Sequence, residues 1–255
     1  MHIEVVGEGP PLVLVHGWGL HGGVFAPLLD RLSAEFQLYL PDLPGHGYSR
    51  DEQTPLTLQD CVAEILARTP PATWLGWSLG GLFALHAASV SSQVRGLALV
   101  AASPRFVRGL AWLHAVESSV FEQFGRDLER DYRGTLERFL ALDTIGSEHA
   151  RAELRTLKDN LYARGEPAPQ ALQQGLALLE QSDLRALLPK LSIPNLWISG
   201  HRDRLVSPAA MREAAAMTPG SRHVDIPGGG HAPFLGHADQ VAEEIRAFMA
   251  KVRPG

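Results

Sequence analysis

The sequence predicts an α/β fold, a mostly parallel sheet covered by helices and interrupted once by a helical insert. Three observations carry this. Short apolar runs alternate with helical periodicity from Ile3 to about Ala101, the pattern of successive βαβα units. One run, Ala72 to Trp77, turns through Gly-x-Ser-x-Gly into an Ala-rich helical pattern, Leu79 to Ser91, as expected of a buried strand feeding a helix. From about Pro104 to Pro189 helical periodicity continues with no convincing strand, and apolar runs resume at Asn195.

The elements follow in order. Ile3 to Val6 and Leu12 to Val15 read as strands joined by Gly7-Glu8-Gly9-Pro10-Pro11, a turn-rich link suited to an edge hairpin. Phe25 to Phe36 is a helical pattern, and Phe36 to Leu40 a strand ending at Pro41-Asp42-Leu43-Pro44-Gly45-His46-Gly47. A helix is expected from Thr57, its cap, to Arg68, before Pro70-Pro71. After the Gly-x-Ser-x-Gly turn come a strand over Val94 to Ala101, the helical insert at 104–189, and strands at Asn195 to Ser199 and Arg222 to Ile226. Asp239 to Val252 closes the chain as a helix.

At 255 residues and 45% hydrophobic the chain can bury one large core, so a single domain over 1–255 is expected. With 23 basic and 28 acidic residues it carries a formal charge of −5, which gives no bulk attraction to nucleic acid or to an anionic membrane. The single cysteine, Cys61, excludes an internal disulfide and fits a reducing compartment. No basic stretch precedes an apolar one at the start, and no apolar run is long enough to span a membrane; a cytoplasmic monomer is expected. Neither Gly-Lys-Ser/Thr nor His-Glu-x-x-His occurs, so no nucleotide, metal or other cofactor is expected.

The chemistry gathers where loops leave the strand ends. In Trp74-Leu75-Gly76-Trp77-Ser78-Leu79-Gly80-Gly81 a serine on a sharp strand-to-helix turn needs small neighbours two before and two after, and Gly76 and Gly80 supply them. The turn presents the Ser78 hydroxyl at a helix N-terminus, where the Leu79 N–H and the helix dipole favour a developing oxyanion. Acyl transfer also needs a base and a carboxylate to hold it. Asp203 lies just past a strand, where α/β folds place their chemistry, and His231 sits in the late loop Gly228-Gly229-Gly230-His231-Ala232-Pro233. Among eleven histidines, His223 and His237 are alternatives to His231; Asp225 falls inside a strand and Asp183 inside the insert, which favours Asp203. His46 is read as structural.

The strand running into His16-Gly17-Trp18-Gly19 resembles the oxyanion loop of the α/β-hydrolases, with the Trp18 N–H as a donor, and the chain order Ser78, Asp203, His231 is that family's order. Haloalkane dehalogenases and epoxide hydrolases resemble the chain in outline but carry aspartate at the nucleophile, which leaves esters, thioesters, lactones and carbon–carbon bonds. Over nearly its whole length the chain resembles the pimeloyl-[acyl-carrier protein] methyl ester esterases of biotin biosynthesis. His16-Gly17-Trp18-Gly19-Leu20, Trp74 to Gly81, Glu137-Arg138-Phe139-Leu140-Ala141-Leu142 and His231-Ala232-Pro233-Phe234 carry the resemblance. It implies a serine carboxylesterase that frees the carboxylate of a seven-carbon acyl chain on acyl-carrier protein and releases methanol. It puts Ser78, Asp203 and His231 on the triad, Trp18 and Leu79 on the oxyanion donors, and Phe139, Leu140, Ala141, Leu142 and Asp143 on the substrate-lining segment of a helical lid. Asp143 departs from the pattern, since a neutral polar residue is expected there.

Read from the residues alone, Phe121, Phe124, Phe139, Leu140, Leu142 and Ile145 could cover an alkyl chain or equally pack the insert onto the body. Arg138, Arg151 and Arg155 are the cations available to an acidic carrier, the latter two on one helix face at i, i+4. Glu137, Glu148 and Glu153 lie close by, so solvated surface is the alternative. A lactonase, a carbon–carbon bond hydrolase, a broad short-chain esterase and a non-catalytic binding protein on the same fold are the rival readings.

Overall fold

The computed structural model describes residues 1–252; the last three positions of the expected 1–255 domain lie outside them. Seven strands form one sheet in the order β1-β3-β2-β4-β5-β6-β7: β1 (Ile3–Val6), β2 (Pro11–Val15), β3 (Gln37–Pro41), β4 (Ala72–Trp77), β5 (Val94–Val100), β6 (Asn195–Gly200) and β7 (Ser221–Ile226). All pairings are parallel except β1 with β3. The expected β1–β2 hairpin is therefore not formed. Pro11 pairs beside Gln37, and β3 inserts between the first two strands, with Val6 opposite Leu38. The Gly-Pro link lets the chain cross over that strand; Gly7 and Gly9 have φ of 83° and 115°, conformations that only glycine adopts without strain.

The central strand β4 is buried at every position, which is why it reads as continuous apolar sequence rather than alternation. Helices cover both faces: α1 (Ala26–Leu32), α2 (Leu58–Arg68), α3 (Leu79–Val90), α8 (Pro208–Met217), α9 (Pro233–Gly236) and α10 (Ala238–Met249). Thr57 caps α2 as expected, its Oγ1 accepting from the Asp60 N–H at 3.1 Å. The first helical stretch is shorter than its periodicity suggested: a single 3-10 turn, Gly22–Phe25, precedes α1, which stops at Leu32. Helix α8, not expected from the sequence, starts at Pro208 behind the cap Ser207. Its apolar face is mostly alanine, too weak a stripe to stand out.

Between β5 and β6 the chain makes four α-helices, α4 (Ser118–Arg130), α5 (Tyr132–Thr144), α6 (Ala150–Ala163) and α7 (Pro169–Gln181), then a 3-10 helix, Arg185–Lys190, and no strand beyond isolated bridges, Val107 with Val116 and Gly109 with Trp112. Arg164, just past α6, ties this insert to the body. Its guanidinium reaches Asp42 at 3.2 Å and also pairs with Glu4, and the Asp42 side chain is fully buried. Removing Arg164 would leave that carboxylate buried without its cation, a loss of about 3–5 kcal/mol. Among the described residues, no helix is long and apolar enough to cross a membrane.

Candidate active site

The turn after β4 forces Ser78 to φ 53°, ψ −121°, a region that non-glycine residues rarely occupy and that costs on the order of 1–3 kcal/mol. The strain is held by close backbone packing on both sides. A Cβ on Gly76 would lie 2.4 Å from the Gly80 carbonyl oxygen, and one on Gly80 would lie 2.1 Å from that of Val15. The Ser78 N–H donates to the Val100 carbonyl at 3.1 Å, which fixes the turn to the neighbouring strand. The hydroxyl stands at the first turn of α3.

Ser78 Oγ lies 2.8 Å from His231 Nε2, and His231 Nδ1 lies 2.8 Å from Asp203 Oδ2. The other Asp203 oxygen accepts from the Leu205 and Val206 amides at 2.8 and 2.9 Å. That loop holds the carboxylate so that His231 carries its proton on Nδ1 and offers a lone pair at Nε2 to the serine. Burial opposes protonation of His231, yet the Asp203 charge and hydrogen bond, with Asp143 beyond, raise its pKa above the ordinary 6.5. The expected serine, acid and base are thus brought together; His223 instead meets Ser199 on β6, and His237 lies apart beside Glu148.

The His231 backbone is held on two sides. Its N–H donates to the Asp143 carbonyl at 3.1 Å, and its carbonyl accepts from Trp77 Nε1 at 2.8 Å. Trp77 precedes the serine and Asp143 lies in the last turn of α5, so the histidine is aligned by the serine turn and by the insert together. Sequence reading missed Trp77 in this role, because a tryptophan in an apolar strand signals only core.

The 16–19 loop stands against the serine: a Cβ on Gly17 would lie 3.4 Å from Ser78 Cβ. His16 organises this loop, with Nδ1 donating to the Gly17 carbonyl at 2.8 Å and Nε2 accepting from the Leu43 N–H at 2.9 Å. Complete burial, with His46 adjacent, drives its pKa down to about 3 and keeps it neutral. His46 is likewise buried and bonds to the Pro44 carbonyl, in keeping with a structural role. Among the described residues, no backbone carbonyl engages the Trp18 or Leu79 N–H. The Trp18 indole donates to the Leu172 carbonyl of α7 at 2.8 Å and packs on Phe139 with ring centroids 4.6 Å apart.

Of the α5 segment, Phe139 and Leu140 are buried, Ala141 and Leu142 half-buried, and Asp143 is 1% exposed. Phe139 also packs on Phe124, Phe121 is buried and Ile145 is exposed. The Asp143 Oδ1 has no hydrogen-bond partner and sits 4.0 Å from His231 Nε2. Burial pushes its pKa up to about 7; His231 opposes the rise and Asp203 adds to it. A second carboxyl therefore faces the Nε2 edge of the histidine. The resemblance assigns Asp143 to the substrate-lining segment, and nothing in the sequence shows its approach to His231.

Arg138 is held by Asp127 and Asp131 at 3.6 and 3.7 Å. Arg151 and Arg155 are exposed and form no ion pair among the described residues.

The α/β-hydrolase fold family matches residues 10–238. Over 252 residues, 99% of this chain and 100% of its relative, the sequence is 67% identical to the pimeloyl-[acyl-carrier protein] methyl ester esterase of Xanthomonas oryzae pv. oryzae. The chain belongs to this esterase family. A second member, from Stenotrophomonas maltophilia, is 63% identical over 100% of this chain and 98% of its own. Among solved structures, an esterase from Exiguobacterium antarcticum superposes with a TM-score of 0.88 at 23% identity, covering 98% of this chain and 95% of its own. An enol-lactonase from Burkholderia xenovorans gives 0.84 at 21% identity, covering 98% of this chain and 96% of its own. These two likenesses speak for the fold; membership of the esterase family rests on the sequence relatives.

Asp143 gives the pH profile of this esterase family member an expected signature. With His231 as the base for Ser78, the ring would have to be neutral to accept the serine proton, so kcat/KM should rise with pH through the raised pKa of His231, above 6.5. The Asp143 charge helps to raise that pKa. Asp143→Asn should therefore move the acid limb to lower pH, with kcat/KM on its plateau kept within about tenfold. An acid limb that stays in place or moves upward would show that the carboxyl does not act on His231.

Proposed function

We propose that this protein hydrolyses the methyl ester of a pimeloyl chain carried on acyl-carrier protein, through an acyl-serine intermediate, in biotin biosynthesis. The observation that carries the reading is the unbroken Ser78–His231–Asp203 hydrogen-bond relay in a chain 67% identical to an esterase of that name. His231 removes the Ser78 proton as Oγ attacks the ester carbonyl. The N–H groups of Trp18 and Leu79 hold the oxyanion, at the N-terminus of α3. The imidazolium then gives its proton to the departing methanol, and a water activated by the same nitrogen releases the carboxylate.

In this reading the 104–189 insert is the lid. Ser78 is 2% exposed and His231 1%, and α5 of the insert comes within 4.0 Å of His231 through Asp143. Phe139 to Leu142 line the acyl chain, and Arg151 and Arg155 meet the acidic carrier; Arg138, paired to two aspartates, is the weaker candidate. The compartment is the cytoplasm and the enzyme acts as a monomer.

The test uses two substrates. Reversing Arg151 and Arg155 to Glu should raise KM for a carrier-linked methyl ester by about tenfold, more at low salt, while a small free ester is cleaved at close to the parental rate. Equal losses on both substrates would mean the insert had been damaged, and no loss on either would remove these arginines from carrier recognition. A parent enzyme that cleaves free esters or lactones well but ignores the carrier-linked ester would favour the rival hydrolase reading.

A further inference from the structure

Away from the serine, three side chains with metal-ligand chemistry converge on the seam between insert and body. Glu148 and His149 lead into α6 of the insert, and His237 joins α9 to α10 in the body. One donor atom from each lies within 4.8 Å of the other two. Glu148 Oε1 is 3.7 Å from His149 Nε2 and 3.6 Å from His237 Nε2. Those separations are too long for hydrogen bonds. They exceed by a few tenths of an ångström the spacing of about 3.3 Å that donors adopt around a tetrahedral ion with bonds near 2.0–2.1 Å, so small side-chain rotations would close the set on an ion.

Two further features show a built site. The His237 side chain is only 10% exposed, and its Nε2 is buried with no hydrogen-bond partner, facing Glu148. A buried ring nitrogen left unpaired is costly unless something binds it. Glycines also make the room: a Cβ on Gly228 would lie 2.4 Å from the Glu148 carboxyl carbon. One on Gly236 would lie 2.4 Å from Glu153 Oε1 and 2.9 Å from the His149 ring. Glu153, 2% exposed and without an ion pair among the described residues, accepts from Ser147 Oγ at 2.7 Å.

We propose that Glu148, His149 and His237 form a binding site for a borderline first-row divalent cation of the zinc class, which pins the helical insert to the segment following His231. Two imidazoles and one carboxylate select such an ion over magnesium or calcium, which take oxygen ligands. A water completes the fourth position. The exposed His149 ring has the freedom to close on the ion; Glu148 is already anchored, its N–H donating to the Gly228 carbonyl at 3.0 Å. Such a site was invisible in sequence spacing, because His237 lies far along the chain from Glu148 and His149.

The full-length protein, stripped with a chelator, should be titrated with Zn²⁺ by calorimetry and its melting temperature followed. The expected result is one saturable equivalent and a rise of about 5 °C in melting temperature, with no response to Mg²⁺. His149→Ala, at a half-exposed position that leaves the core intact, should weaken Zn²⁺ binding by about tenfold or more and remove the thermal shift. His237→Ala should do the same. Zn²⁺ affinity and thermal shift unchanged in His149→Ala would overturn the site, as would a parent protein that takes up no saturable equivalent.

Discussion

Ser78→Ala is expected to lower kcat/KM for methyl ester hydrolysis by about four powers of ten or more, with near-UV circular dichroism and melting temperature close to those of the parent. The hydroxyl makes one hydrogen bond, to His231 Nε2, while the strained turn is held by backbone contacts through Gly76, Gly80 and the Ser78 N–H. Alanine keeps all of those. What remains is whatever rate the oxyanion donors and substrate binding supply without a nucleophile. A variant within tenfold of the parent, free of contaminating esterase, would dismiss Ser78 as the attacking group.

The serine's surroundings were legible because backbone geometry imposes residue type. A strand-to-helix turn with φ 53° at its apex tolerates only small neighbours, and that requirement leaves a trace in the chain. The βα alternation was legible for a similar reason, since β4 and β5 are covered on both faces and read as apolar runs. Pairing partners were less so. Nothing local to Ile3–Val6 distinguishes a hairpin with β2 from an antiparallel edge beside β3, because no residue of the strand is fully buried in a way that would mark its partner. The groups that tune the site, namely Trp77 on the His231 carbonyl, Asp143 beside its ring and Arg164 on buried Asp42, depend on contacts between residues far apart in the chain. Local periodicity carries no record of them.

The two carboxyls near His231 predict activity losses of very different size. Asp203 receives the Nδ1 proton and also two loop amides, whereas Asp143 offers an oxygen with no partner 4.0 Å from Nε2. In Asp203→Asn the amide oxygen keeps the Leu205 and Val206 N–H groups, which leaves the NH₂ group facing His231. The ring must then accept at Nδ1 and carry its proton on Nε2, where it points at the serine and can no longer act as a base. The expected loss in kcat is about four powers of ten with the fold intact. Losing the Asp203 charge also removes the main force that holds the His231 pKa above 6.5 against burial, so the remaining activity should have its acid limb at lower pH. If Asp203→Asn lost no more activity than Asp143→Asn, the carboxylate that aligns the histidine would have to be sought at Asp143 instead.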